Sequence, residues 1–71
     1  MKMNKVDSSV IASYFYNEET QALLIEYHNK SLYLYQDIPA STVKKVFSAE
    51  SIGKAFKKHV LEKDATTVRI K

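Results

Sequence analysis

Pro39 divides this chain. It is the only proline in 71 residues, and the period of the hydrophobic pattern changes across it. Before it, β-branched and aromatic residues alternate with polar ones, the period-two signature of strands. After it, Val43, Val46 and Phe47 recur at i, i+3, i+4, the spacing of one helix face. Proline cannot donate to a β-ladder and holds the residue before it extended, yet it suits the first turn of a helix. The chain therefore reads as sheet first and helices second, an α+β class.

The sheet half contains three candidate strands. Val10 to Tyr16 is the first, and the polar connection Asn17 to Gln21 separates it from the second, Ala22 to His28. Asn29-Lys30-Ser31 then makes a short turn, with Asn29 able to take the left-handed conformation, into Leu32 to Gln36. These three make an antiparallel meander. Beyond Pro39 the spacing predicts one helix over 40–49. Ser51 is placed to cap a second helix that carries Ile52, Ala55, Phe56, His59 and Val60 and ends near Lys63-Asp64. Gly53 within it would let the helix lie close to a strand. Thr66 to Lys71 alternates β-branched residues and is either a short edge strand or a frayed tail. The length sets one domain over 1–71, with an ordered core expected over about 6–63.

Two short helices cover only one face of such a sheet. Bulk matching places Leu23, Ile25, Tyr27, Tyr33 and Tyr35 against Val43, Phe47, Ile52 and Phe56. Leu24, Leu32 and Leu34 are then left on the outer face. With no cysteine to staple a small core, that outer patch either supports self-association or is covered by the N-terminal segment or the C-terminal strand.

A series of short patterns runs through the chain in order. Asp7-Ser8-Ser9-x-Ile11 is followed by Leu23-x-Ile25-x-Tyr27, then Tyr33-x-Tyr35-x-Asp37-Ile38-Pro39, then Ala49-Glu50-Ser51-x-Gly53-Lys54-x-Phe56. Together they resemble the KTSC domain, a module named for its place at the C-terminus of some lysyl-tRNA synthetases. The resemblance covers about Val6 to Val60. It implies the same order of strands and helices and a small, nucleic-acid-associated module without catalytic residues. The chain departs from the family pattern at Asn29-Lys30-Ser31, where members usually carry a glycine.

The net charge of +3 is unevenly spread. Residues 39–63 carry six lysines against Glu50 and Glu62, a net of +4, whereas residues 1–38 carry three lysines against five acids, a net of −2. Lys54, Lys57 and Lys58 fall at i, i+3, i+4 on the second helix, and Lys44 and Lys45 lie on the first. Such a strip suits a phosphate backbone, as easily as it suits an ordinary solvated helix face. With Arg69 the only arginine, any binding would use point charges and tolerate sequence.

Five tyrosines suggest base stacking on the sheet, but alternating strand tyrosines mainly pack. An outward Tyr14 or Tyr16 is the candidate that remains. His28 and His59 lack companions for a metal site. Glu18 and Glu19 lie in a turn without a pocket, and Ser8 and Ser9 have no activating partner. No catalytic, metal or cofactor site is expected.

The longest apolar run, Ala22 to Ile25, is far short of the ~20 residues of a membrane span, and no apolar targeting segment follows Met1. A cytoplasmic location is expected. The expected function is a non-enzymatic module contacting RNA or DNA backbones through Lys44, Lys45, Lys54, Lys57 and Lys58. The alternative is a bacterial or phage accessory domain that binds protein or itself through Leu24, Leu32 and Leu34. A third option is capture of a small phosphorylated ligand by converging lysines.

Overall fold

The computed structural model describes residues 2–63 and 66–71. Five strands form one antiparallel sheet in chain order: β1 (Asn4–Lys5), β2 (Ile11–Asn17), β3 (Ala22–Tyr27), β4 (Leu32–Tyr35) and β5 (Thr67–Arg69). Between β4 and β5 the chain leaves the sheet for α1 (Ala40–Phe47), α2 (Ile52–His59) and a 3₁₀ turn, Leu61–Lys63. It returns to pair β5 beside β4, with Leu34 opposite Val68. The α+β class is as expected, while the sheet has five strands rather than three.

The added strands flank the meander. β1 pairs Asn4 with Tyr14 and Lys5 with Ser13; its two polar residues carry no strand pattern and are ordered by that pairing. β5 is the C-terminal strand left open by the sequence. Both lie outside the expected ordered core of 6–63.

The helices are shorter than their periodicity suggests. At the end of α1 the Ser48 hydroxyl donates to the Lys44 carbonyl at 2.6 Å, and the Ala49 amide reaches the Val46 carbonyl at 3.3 Å, tightening the last turn. Ser51 caps α2 as expected, its hydroxyl accepting from the Lys54 amide at 3.4 Å. After α2 the 3₁₀ turn runs to Lys63; Asp64, where the helix was expected to end, lies outside the described residues.

Both helices pack on one sheet face. Leu23, Ile25 and Tyr35 from the sheet meet Val43, Val46, Phe56 and Val60 from the helical layer, with Ile11 and Ile38 closing the core. The face assignment made from bulk is correct for β3 and β4. On β2 the register shifts between Ile11 and Ser13. This bulge turns Ile11, Tyr14 and Tyr16 toward the helices and Ser13 and Phe15 away. Ser13 is buried there and donates to Glu26 Oε1 at 2.8 Å.

Candidate functional site

All five candidate lysines are exposed on the helical layer: Lys44 and Lys45 in the last turn of α1, and Lys54, Lys57 and Lys58 on α2. Lys44 and Lys45, like Lys57 and Lys58, stand where a helix C-terminus favours cations. The structure does not collect the five into one site. Lys54 and Lys57 border a groove that they share with Asp7, Glu50 and the Ser8-Ser9 segment, so acids offset the cations there.

Lys45 is placed differently. It lines a cleft of about 420 Å³ with Asp37, Ile38, Pro39, Thr42, His59, Lys63 and Thr66. Four parts of the fold supply this wall: the β4–α1 turn, the body of α1, the end of α2 with its 3₁₀ turn, and the approach to β5. Asp37 has a φ of 59°, a left-handed conformation that aspartate tolerates better than most residues. It is held between two backbone hydrogen bonds, Gln36 N–H to the Thr66 carbonyl at 2.8 Å and Ile38 N–H to the Gln21 carbonyl at 2.9 Å. Sequence reasoning missed the grouping of Lys45 with Lys63 and His59. The helical spacing of His59 and Lys63 was visible, but they share a cleft with Lys45 only because α1 and α2 pack together.

The tyrosines are structural. Tyr14 faces inward and stacks on Phe47 at 3.8 Å between centroids, 12° from parallel. Tyr16 also faces inward, its hydroxyl donating to the Ile38 carbonyl at 2.5 Å. Neither is an outward stacking platform, because the β2 bulge sets their face. The Tyr27 and Tyr35 hydroxyls share a hydrogen bond at 2.6 Å, and burial raises the pKa of both phenols.

The outer sheet face is uncovered by the helices. Leu24, Leu32 and Leu34 are half-buried on it. Register extends the patch into a row running Phe15, Leu24, Leu34, Val68 across four strands. The C-terminal strand does not fold over the leucines: it joins the sheet edge and adds Val68, 41% exposed, to the same face. The N-terminal strand likewise pairs along the other edge.

His28 Nε2 lies 2.6 Å from the Ser8 carbonyl, tying the β3–β4 turn to the segment before β2. Glu18 and Glu19 are exposed in a turn where Asn17 Oδ1 accepts from the Glu19 and Thr20 amides. Among the described residues no three His, Cys, Asp or Glu side chains gather as a metal site, and no helix is long and apolar enough to cross a membrane.

Comparison with known proteins is consistent with this architecture. Residues 7–63 match the KTSC domain family. The chain is 34% identical over 56 residues to an uncharacterised protein of Stutzerimonas stutzeri, an alignment spanning 79% of each. A crystal structure of a KTSC domain protein from Yersinia pestis superposes with a TM-score of 0.87 at 26% identity, covering 99% of this chain and 97% of the other.

Proposed function

The chain belongs to the KTSC domain family, and on that premise we propose that it is a non-enzymatic binding module that holds RNA or DNA by the phosphate backbone across its helical layer. One observation carries the reading: Lys44, Lys45, Lys54, Lys57 and Lys58 are all exposed on the two helices, while the opposite sheet face carries the apolar row Phe15, Leu24, Leu34, Val68. Exposed ammonium groups act as point charges on phosphates, so the binding is salt-sensitive and indifferent to sequence. Fluorescence anisotropy with single-stranded and duplex oligonucleotides at low salt tests it. Binding is expected for both, and the triple change Lys54→Glu, Lys57→Glu and Lys58→Glu is expected to abolish it. Retained affinity in that variant, with its fold intact by circular dichroism, sinks the reading.

The row Phe15, Leu24, Leu34, Val68 favours a second reading, association with a protein or another copy through the open sheet face. Fully burying one leucine is worth roughly 1.5–3 kcal/mol. Light scattering is expected to register a concentration-dependent increase in mass that Leu34→Lys removes; a strict monomer at high concentration rejects self-association.

A further inference from the structure

The geometry points to the cleft between α1, the end of α2 and the start of β5 as a binding site for a phosphomonoester, carried by a strand end or by a free mononucleotide. The inference rests on the nucleic-acid reading and names which part of the ligand this one place selects. Lys45, Lys63 and His59 bring nitrogen donors from three separate elements to one concavity, and Thr42 and Thr66 add hydroxyls. These are the groups that recognise a phosphate with two negative charges. The cleft volume of about 420 Å³ falls within the range of small-ligand sites, roughly 300–1,000 Å³.

Two features separate this site from the general lysine surface. Its walls come from four parts of the fold, so cations carried by α1, the end of α2 and the 3₁₀ turn share one concavity and can converge on a single phosphate group. An internal phosphodiester carries one negative charge, whereas a terminal phosphate or a mononucleotide carries up to two and gains more from such convergence. Among the described residues the wall also carries one carboxylate, Asp37. It repels a phosphate and accepts a hydroxyl, so a ligand whose phosphate is taken by Lys45, His59 and Lys63 would leave Asp37 to a sugar hydroxyl. Lys54 and Lys57 share the other groove with two carboxylates, Asp7 and Glu50, and, among the described residues, with no histidine, so its charges balance.

The test compares one short single-stranded RNA with either a 5′-phosphate, a 3′-phosphate or hydroxyls at both ends, by fluorescence anisotropy, with adenosine 5′-monophosphate and inorganic phosphate as competitors. One phosphorylated end is expected to bind about tenfold more tightly than the hydroxyl form, the worth of one charge-assisted hydrogen bond. Lys63→Gln, at an exposed position, is expected to erase that preference. The pair Lys54→Gln and Lys57→Gln is expected to weaken all three strands alike and preserve it. Competition by the mononucleotide but not by inorganic phosphate assigns Asp37 its sugar contact; equal competition by both removes that role.

Equal affinity for all three strands overturns the phosphomonoester site and leaves the backbone reading standing. Failure of every strand to bind overturns the backbone reading. In that case the site survives only if the mononucleotide shifts the His59 and Thr42 resonances in wild-type protein and not in Lys63→Gln. If those resonances do not move, the site is rejected as well.

Discussion

Lys30 adopts a φ of 70° in the β3–β4 turn, while Asn29, the residue better suited to that conformation, serves as a local acceptor. Asn29 Oδ1 takes hydrogen bonds from the Ser31 amide at 3.0 Å and from the Ser31 hydroxyl. The Lys30 amide donates to the Tyr27 carbonyl at 2.9 Å, and the Tyr27 amide to the Ser31 carbonyl at 3.0 Å, so the left-handed position falls one residue later than composition suggested. A left-handed lysine costs about 1–2 kcal/mol, partly offset in a glycine by its greater loss of chain entropy. Lys30→Gly is therefore expected to stabilise the domain by about 0.5–1 kcal/mol and raise Tm by a few degrees in thermal denaturation. The Tyr27–Tyr35 pair makes a prediction of opposite sense at high pH. Burial raises both phenol pKa values above the usual 10, and for Tyr27 the shared hydrogen bond raises it further. As pH rises past 10, the unfolded chain releases these protons first, so the stability that the pair contributes is whole below that pH and lost above it. Urea unfolding between pH 8 and roughly 11 is expected to register the decline, with a shallower slope for Tyr27→Phe; an unchanged slope refutes the assignment.

Helix α2 depends on both its ends and one glycine. Ser51 starts it, a tightened turn ends it, and Gly53 lies against Val10 at the entrance to β2, as its place in the helix suggested. A methyl group added at Gly53 would sit 3.2 Å from Val10 Cγ2, closer than ordinary contact. Val10 is 45% exposed, so its side chain can turn away. Alanine is worth about 1 kcal/mol over glycine inside a helix, and Gly53→Ala is expected to raise the urea midpoint slightly, whereas the bulkier Gly53→Val is expected to lower it. The strands were legible in proportion to their side-chain pattern. β3 and β4 alternate cleanly, and their inner residues could be assigned by counting. β2 alternates too, but a bulge inserts one residue, and no count from either end gives the faces of both halves. β1, two polar residues long, is specified by the ladder it joins.

The folded chain has a Cα radius of gyration of 10.8 Å, close to the ~11 Å expected for its length. Its compactness comes from one sheet face, which leaves the two sides of the molecule chemically distinct: a cationic helical layer and an apolar strand row. The backbone reading has a quantitative signature at this level. For single strands each neutralised phosphate adds about 0.7 to the slope of log K against log salt, and each Lys→Glu change on the layer is expected to reduce that slope by about this amount. A flat salt response in an otherwise tight complex contradicts electrostatic backbone binding. Much of the architecture was determined locally. Alternation in 22–35, the break at Pro39 and the helical spacing after it follow from backbone geometry and from side chains acting on near neighbours, and so they could be read in order along the chain. The number of strands, the faces of Tyr14 and Tyr16, and the meeting of Lys45, His59 and Lys63 depend on long-range pairing and packing. Residues far apart in sequence become neighbours there only after the helices dock and β5 returns to the sheet edge, and a one-dimensional pattern holds no distance between them.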